Sequence, residues 1–139
     1  MVRGFRIEGY LGNGAMGKVY LARRESDHLP VALKILPPKF QEDQYAKESF
    51  LIEMEITAQL KHPQLVYSVA SGTSDNTYFL ALNYIEGETV DAYCDRKGPF
   101  NEEESLYLVH YIAHAMHYAW GTHRVMHRDI NPSNIILSL

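Results

Sequence analysis

The stretch GNGAMGKV (residues 12–19) constrains the fold most, because its three glycines have the spacing G-x-G-x-x-G. In a dinucleotide-binding βαβ unit, the third glycine of this motif opens a helix. Here Gly17 is followed by Lys-Val-Tyr-Leu-Ala, in which apolar and polar residues alternate as they do in a strand. The stretch therefore predicts a hairpin between two strands. Such a hairpin either folds over phosphate groups or is a plain glycine-rich turn, and the motif by itself favours neither.

Five short apolar runs predict an antiparallel sheet in the first part of the chain. One helical pattern lies among them, with Phe50 and Met54 on its apolar face and Pro63 as its predicted end. Turn residues such as Pro37-Pro38 and Ser74-Asp75-Asn76 separate the other elements. The five runs are FRIEGYLG (5–12), KVYLARR (18–24), VALKIL (31–36), LVYSVASG (65–72) and TYFLALNYI (77–85).

The rest of the chain has helical patterns. A short one, ETVDAYCDRKG (88–98), ends at Gly98, and a long one begins after Asn101, an N-cap residue with Glu104 in the capping-box position. Strands followed by helices indicate the α+β class, with a boundary near Gly87 that gives domains 1–86 and 87–139. The long helix has a wide apolar face, which predicts that it is well buried. This face comprises Leu108, Val109, Ile112, Ala115, Met116, Ala119 and Trp120.

The composition argues against several classes of protein. The chain has 139 residues, a net charge of −4 and a single cysteine, Cys94, so we expect neither a nucleic-acid partner nor an internal disulfide. No run approaches the ~18 apolar residues of a membrane span, and the N-terminus lacks the apolar core of a signal peptide. We therefore expect a cytoplasmic protein with no membrane segment in this chain.

A lysine lies inside the apolar run VALKIL. Ala32 and Lys34 share one face of this strand, and a cation on such a face needs a partner. The following helix offers Glu48, Glu53 and Glu55. Glu53 and Glu55 differ by about 200° around a helix, so only one of these two can face the sheet. Taken singly, these residues also fit a surface lysine beside a solvated acidic helix.

The order of the motifs resembles one family. GNGAMGKV, VALK, an acidic helix and HRDINPSN (residues 127–134) follow one another as in the signature set of protein kinases. LGNGAMGKVYLARR, KHPQLV and NYIEGETV resemble the serine/threonine kinases common in bacteria. The resemblance covers essentially the whole chain, and it implies ATP-dependent phosphoryl transfer to Ser/Thr hydroxyls of a protein substrate. The implied fold is an N-terminal lobe, with a five-stranded antiparallel sheet and one helix, followed by the first helices and the catalytic loop of a C-terminal lobe.

The resemblance implies nucleotide-binding roles for residues in the first domain. Gly12, Gly14 and Gly17 are expected to cover the ATP phosphates. Lys34, oriented by an ion pair with Glu53, is expected to hold the α- and β-phosphates. The expected adenine contacts are Val19 and Ala32 above the base, Ile136 beneath it, Leu82 at the back of the pocket, and backbone groups of the hinge residues Asn83 and Ile85.

The end motif supplies the implied catalytic residues. Asp129 is expected to act as the base for the substrate hydroxyl, and Asn134 to ligate Mg²⁺ through its amide oxygen. His127 is expected to be structural, and Arg128 to form a basic pocket. The family has a lysine two residues after the base, where it is expected to meet the γ-phosphate. This chain has Asn131 there, and losing such a donor typically costs ~10²–10³ in rate.

Two departures from the family bear on activity. The neutral Asn131 favours either a slow enzyme or a pseudokinase, that is, a non-catalytic nucleotide-binding or interaction module. The DFG motif, with its second Mg²⁺ ligand, does not occur up to Leu139, where the resemblance stops after the catalytic loop. We expect little or no phosphotransfer by this chain alone, and exposed apolar surface that favours a homodimer. Pro132 favours Ser/Thr over Tyr as the acceptor.

Three histidines form a rival site. His110, His114 and His117 stand at i, i+4 and i+7 on the long helix, which places three imidazoles on one face. Such a face suits a transition metal, and a polar stripe on a surface helix is the alternative.

Overall fold

The computed structural model describes residues 1–14 and 17–138, so Ala15 and Met16 of the glycine-rich stretch lie outside the described residues. The chain divides into two compact units. The first unit comprises residues 1–61 and 66–84, and the second comprises residues 62–65 and 85–139. The domain boundary at residues 86 and 87 stays a prediction, and the second unit also takes in the four-residue segment 62–65.

The first unit contains a five-stranded antiparallel sheet with the order β1-β2-β3-β5-β4. This sheet and its main helix, α2, confirm the predicted architecture. A one-turn helix, α1, follows Pro37 and was not predicted. The elements are β1 (Phe5–Gly14), β2 (Gly17–Arg24), β3 (Pro30–Leu36), α1 (Pro38–Gln41), α2 (Gln44–Gln59), β4 (Ser68–Ser74) and β5 (Thr77–Asn83).

The two faces of the sheet bury different apolar groups. On one face, Val31 and Leu33 of β3 are fully buried beside Ala81 of β5. On the other face, Leu36 and Leu80 pack with Phe50 of α2. Because side chains alternate along β3, its even-numbered residues, Lys34 included, lie on the face that α2 covers.

Helix α2 ends earlier than the sequence predicted. Asp43 caps its first turn by accepting a hydrogen bond from the Ala46 N–H at 3.2 Å. The helix ends at Gln59, and the prediction that Pro63 ends it was wrong. Leu60 leaves the helical conformation, with ψ 122°, and its side chain is only 8% exposed. The helix thus ends next to the buried Leu60, and Pro63 lies beyond the end of the helix.

The second unit contains a two-stranded sheet and two α-helices. Thr89 caps α3, and Gly98 ends it with a positive φ of 87°. Asn101 and Glu104 form the predicted capping box of α4, with both hydrogen bonds at 2.9 Å. The pairing of β6 with β7 was not predicted. The elements are β6 (Gly87–Thr89), α3 (Val90–Lys97), α4 (Glu102–His123), a 3-10 helix (Pro132–Asn134) and β7 (Ile136–Ser138).

The prediction that α4 is well buried was wrong for the described part of the chain. Of its apolar face, Ala115 and Ala119 are buried, whereas Val109 is 61% and Trp120 is 50% exposed. The other described elements of the second unit, which are β6, α3, the 3-10 helix and β7, contact one another. None of the described helices has the length and hydropathy needed to cross a lipid bilayer.

Candidate functional site

The most enclosed charge of the first unit is Lys34, in the middle of β3. The residue is 9% exposed, and its Nζ donates a hydrogen bond to Glu53 Oε2 of α2 at 2.5 Å. Lys34 and Phe50 lie on the same side of the sheet, and Lys34 Nζ is 5.9 Å from the centroid of the Phe50 ring. A nearly buried ammonium group requires such a partner, because removal from water strongly disfavours an unpaired charge. The structure thus brings Lys34 and Glu53 together.

Strand register gathers other predicted residues around Lys34. Val19 of β2 lies directly opposite Lys34, and Leu82 of β5 lies directly opposite Ala32. Directly opposed residues of antiparallel strands point to the same face of the sheet, as do residues i and i+2 along a strand. Val19, Ala32, Lys34 and Leu82 therefore share one face, which is the arrangement that the predicted nucleotide contacts require.

Gly12 and Gly14 lie at the end of β1, and Gly17 lies at the start of β2. Gly14 pairs with Gly17, and Gly12 pairs with Val19 with a φ of 149°, which L side chains rarely adopt. Gly17 has a different constraint, because a Cβ there would collide with the carbonyl oxygen of Ile35 on β3. β1 and β2 therefore pair as an antiparallel hairpin requires, and the close approach of β2 to β3 accounts for the third glycine without a ligand.

The predicted hinge residue Asn83 is tied to the first unit. Its N–H donates to the Tyr67 carbonyl at 3.0 Å, and its side-chain Oδ1 accepts from the Tyr67 N–H at 2.8 Å. Any backbone contact that Asn83 makes to a ligand must therefore use its carbonyl oxygen. Ile85, the other predicted hinge residue, is half-buried in the second unit.

The loop HRDINPSN holds Asp129 through two asparagines. Asn131 Nδ2 donates to Asp129 Oδ1 at 3.0 Å, and Asn134 Nδ2 donates to Asp129 Oδ2 at 3.3 Å. Both amides also donate to the Asp129 carbonyl, at 3.2 Å and 2.9 Å respectively. Each carboxylate oxygen of Asp129 therefore has one amide donor, which fixes the orientation of the carboxylate.

The residues before Asp129 shape the loop. His127 Nδ1 accepts a hydrogen bond from the Asp129 N–H at 3.1 Å. Arg128 has a φ of 68°, in the left-handed region that side chains other than glycine rarely adopt. The Asp129 backbone is thus fixed by its neighbour two residues earlier, in agreement with a structural role for His127.

The loop contains one contact that the sequence prediction missed. Ser133 donates to Asn131 Oδ1 from its N–H at 3.0 Å and from its Oγ at 2.5 Å. The signal was present in the order Asn-Pro-Ser, because asparagine side chains commonly accept from the backbone N–H two residues later. The lysine that the family has at this position is expected to meet the γ-phosphate, whereas in the structure the amide nitrogen of Asn131 faces Asp129.

The fit to magnesium depends on hard oxygen ligands. Asn134 directs Nδ2 at Asp129, so its Oδ1 is the atom that can ligate a cation. Within residues 1–14 and 17–138, no three His, Cys, Asp or Glu side chains are grouped to hold a metal ion. Mg²⁺ commonly uses one or two protein ligands together with substrate phosphates, and the amide oxygen of Asn134 fits as one such ligand.

The three-histidine metal site on α4 is contradicted, because His110, His114 and His117 all belong to the residues searched. His114 Nδ1 instead lies 3.0 Å from Nε2 of His62, in the segment 62–65 of the same unit. The ring centroids of His110 and His114 are 6.4 Å apart. Helical spacing alone supplied the prediction, and the preferred partner of His114 lies 52 residues away along the chain.

An ion pair joins two elements of the second unit close to the predicted base contact Ile136. Glu88 of β6 bonds Arg96 of α3, which lowers the pKa of the Glu88 carboxyl and raises the pKa of the Arg96 guanidinium. Thr89, next to Glu88, pairs with Ile136 of β7. Ile136 is 43% exposed, so one of its faces is open to a ligand.

A largely apolar groove of about 450 Å³ follows the end of α4. It continues the exposed apolar surface of the helix, and such surfaces commonly mark contacts with other proteins. Homodimerisation through this surface stays a prediction. The groove is lined by Met116, Trp120, Val125, Met126, His127, Arg128 and Ile130.

Known proteins resemble this chain along nearly all of it. The protein kinase domain family matches residues 5–138. The serine/threonine-protein kinase PrkC of Bacillus subtilis is 32% identical over 143 residues, which cover 99% of this chain and 22% of PrkC. The serine/threonine-protein kinase PknJ of Mycobacterium tuberculosis is 33% identical over 135 residues, which cover 97% of this chain and 23% of PknJ.

A solved structure is also similar. The kinase domain of PknI from Mycobacterium tuberculosis matches with a TM-score of 0.81 at 30% identity. The match covers 99% of this chain and 56% of the PknI chain. The chain therefore spans less than a quarter of the length of PrkC and PknJ, and little more than half of the solved kinase domain.

Proposed function

The chain belongs to the protein kinase family, and we propose that it supplies the nucleotide-holding residues and the catalytic loop of a serine/threonine protein kinase. The observation that carries the proposal is the contact between Lys34 and Glu53. A lysine that is 9% exposed and held by a carboxylate at 2.5 Å is a fixed cation. A fixed cation on the face shared with Val19 and Ala32 suits the phosphates of a nucleotide whose base packs on apolar side chains.

We assign the nucleotide to the residues that the motifs identify. Lys34 holds the α- and β-phosphates, and Glu53 orients Lys34. Backbone N–H groups at Gly12, Gly14 and Gly17 cover the phosphates. Val19, Ala32, Leu82 and Ile136 contact the adenine, with backbone groups of Asn83 and Ile85 at its polar edge.

We assign the chemistry of the acceptor to Asp129. Its carboxylate accepts the proton of a Ser or Thr hydroxyl and aims the oxygen at the phosphorus. The amides of Asn131 and Asn134 keep the carboxylate oriented for this step. Asn134 Oδ1 is the ligand for Mg²⁺, which when bound neutralises charge on the phosphates.

A second candidate is a nucleotide-binding module without transfer. Asn131 favours it, because this amide brings no positive charge to a position where kinases have lysine. We propose little or no transfer by the 139-residue chain by itself, since the described residues provide only a partial set of Mg²⁺ ligands. The single cysteine is unpaired, which favours a reducing compartment, and we propose the cytoplasm.

Nucleotide binding tests the proposal directly. Titration of the chain with a fluorescent ATP analogue in the presence of Mg²⁺ is expected to saturate. Lys34→Ala is expected to weaken binding by at least ~10-fold, since it removes a charge-assisted contact to phosphate. Lys39→Ala, on the exposed part of α1, is the matched control and is expected to bind as the unchanged chain does. Absence of saturable binding, or equal binding by Lys34→Ala, contradicts the proposal.

Phosphotransfer separates the two candidates. With radiolabelled ATP and a Ser/Thr-containing protein acceptor, we expect transfer close to background. Slow transfer that Asp129→Asn abolishes and Asp95→Asn preserves supports the enzyme. Saturable ATP binding with no transfer supports the non-catalytic module, and robust turnover refutes the expectation of little or no transfer by this chain.

A further inference from the structure

Asn131 uses both ends of its side-chain amide. On one side, Nδ2 donates to Asp129 Oδ1 at 3.0 Å and to the Asp129 carbonyl at 3.2 Å. On the other side, Oδ1 accepts from the Ser133 N–H at 3.0 Å and from Ser133 Oγ at 2.5 Å. The amide therefore connects the carboxylate of Asp129 to the first turn of the 3-10 helix.

The chemistry of these partners fixes the direction of the amide. An ionised carboxylate and a backbone carbonyl can only accept hydrogen bonds, and a backbone N–H can only donate one. A rotation of the Asn131 amide by 180° would place its oxygen against the oxygens of Asp129 and its NH₂ group against the Ser133 N–H. Ser133 therefore sets which end of Asn131 faces Asp129.

Asn131 and Asn134 act on different oxygens of Asp129. Asn131 binds Oδ1, whereas Asn134 binds Oδ2 at the longer distance of 3.3 Å. Loss of the Asn131 donor leaves the carboxylate held at one oxygen only, so that it can turn about its Cβ–Cγ bond. The shorter of the two restraints on the carboxylate is thus the one from Asn131.

We propose that Asn131 is a positioning residue for Asp129 and that Ser133 holds Asn131 in its working orientation. This inference rests on the proposed role of Asp129 as base. A lysine at position 131 has no acceptor for the Ser133 N–H or Oγ and cannot make this connection. The asparagine therefore has a role distinct from contact with the γ-phosphate, since its only side-chain donor group is directed at Asp129.

A purely structural role has to be separated from positioning, because Asn131 Oδ1 also caps the 3-10 helix. Asn131→Asp keeps the capping oxygen but replaces the donor toward Asp129 with a second carboxylate oxygen. Asn131→Ala removes both functions. Ser133→Ala removes the Oγ donor and leaves the backbone donor in place, and Ser133→Thr restores a hydroxyl.

Hydrogen exchange tests the contact without any need for activity. In the ¹⁵N-labelled 139-residue chain, the Asn131 side-chain NH₂ is expected to exchange with solvent about fivefold more slowly than that of Asn76, in an exposed turn. Asp129→Ala is expected to remove most of this protection. Ser133→Ala removes part of it and Ser133→Thr restores it. Exchange equal to that of Asn76, unaffected by Asp129→Ala, overturns the proposal.

Kinetics test the consequence for the reaction. Asn131→Asp is expected to lower the slow transfer of this chain to the level of Asp129→Asn, with the Kd for the fluorescent ATP analogue within about twofold and the thermal midpoint preserved. A large rise in this Kd at an unchanged transfer rate overturns the proposal, because it identifies Asn131 as a nucleotide contact. A chain that binds ATP but transfers nothing counts against the enzymatic function, while the exchange measurement still decides whether Asn131 holds Asp129.

Discussion

Lys34 Nζ and Glu53 Oε2 lie 2.5 Å apart, and the two residues belong to β3 and α2. The lysine side chain is 11% exposed and the glutamate side chain 33% exposed, so water reaches the pair mainly from the glutamate side. The contact therefore both fixes the cation and joins the helix to the sheet. Removal of the carboxylate leaves an enclosed ammonium group without its partner.

We expect Glu53→Gln to lower the free energy of unfolding by about 1.5–3 kcal/mol, because hydrogen bonds to charged groups contribute about that much. Glu55→Gln, two residues away on the exposed side of α2, is the matched control. It is expected to change the free energy of unfolding by less than about 0.5 kcal/mol. Urea unfolding followed by circular dichroism measures both. Equal effects of the two variants would show that the ion pair does not stabilise the first unit.

The apolar contact between α2 and the sheet depends on Phe50, which is 0% exposed. We expect Phe50→Ala to cost about 3–5 kcal/mol, the usual range for deleting a buried aromatic ring. Leu51→Ala, at a residue that is 38% exposed, is expected to cost far less. The same urea experiment compares them, and a cost below 1 kcal/mol for Phe50→Ala contradicts the packing described.

A substitution at Gly17 tests whether glycine is needed there for the packing of the strands or for the binding of a ligand. We expect Gly17→Ala to destabilise the chain by about 1–3 kcal/mol in the absence of nucleotide, because the new methyl group collides with the Ile35 carbonyl. Gly9→Ala on β1 meets no atom within 4 Å and is the control, with little effect expected. Thermal unfolding without ATP is the measurement. An unchanged midpoint for Gly17→Ala refutes the close approach of the strands.

The turn between β2 and β3 is expected to respond to pH through Asp27. Its hydrogen bond with Arg24 lowers the pKa of the Asp27 carboxyl from 3.8 to about 2. A carboxyl whose pKa is lower in the folded than in the unfolded chain stabilises the fold when the pH is above the unfolded-chain pKa. The contribution of Asp27 is therefore present above about pH 4 and is lost as the pH falls toward 2. Asp27→Asn removes the dependence.

The N–H of Leu29 donates to Asp27 Oδ1 at 3.2 Å and reports on this carboxyl. We expect the NMR chemical shift of the Leu29 amide to change between about pH 4 and pH 2 in the unchanged chain. In Asp27→Asn we expect this chemical shift to remain constant over the same range. The exposed Asp95→Asn serves as the control and should behave as the unchanged chain does. An Asp27-dependent change centred above pH 4 contradicts the lowered pKa.

The sequence predicted best those features that depend on neighbours along the chain. The alternation in VALKIL identified the faces of Leu33 and Lys34 because a strand has a period of two. The capping box of Asn101 and Glu104 was likewise predictable, since both partners lie within one helical turn. The angular spacing of residues around a helix also predicted that only one of Glu53 and Glu55 could face the sheet.

Features that join distant parts of the chain were not predictable in the same way. Thr89 pairs with Ile136, and each belongs to a strand of only three residues, too short to show a periodic pattern. The exposure of Trp120 depends on which elements pack along α4, and the helical pattern carries no such information. Asn131 was recognised as a departure from the family, but its dependence on Ser133 required the geometry of the loop.

The segment 62–65 belongs to the second unit, although the chain on both sides of it belongs to the first. The chain therefore passes from one unit to the other three times, after residues 61, 65 and 84. One cut near Gly87 cannot yield two intact halves, because it removes His62, the hydrogen-bonding partner of His114, from the fragment that contains α4. Dissection of this protein into separately expressed lobes thus requires that the segment 62–65 be supplied to the helical half.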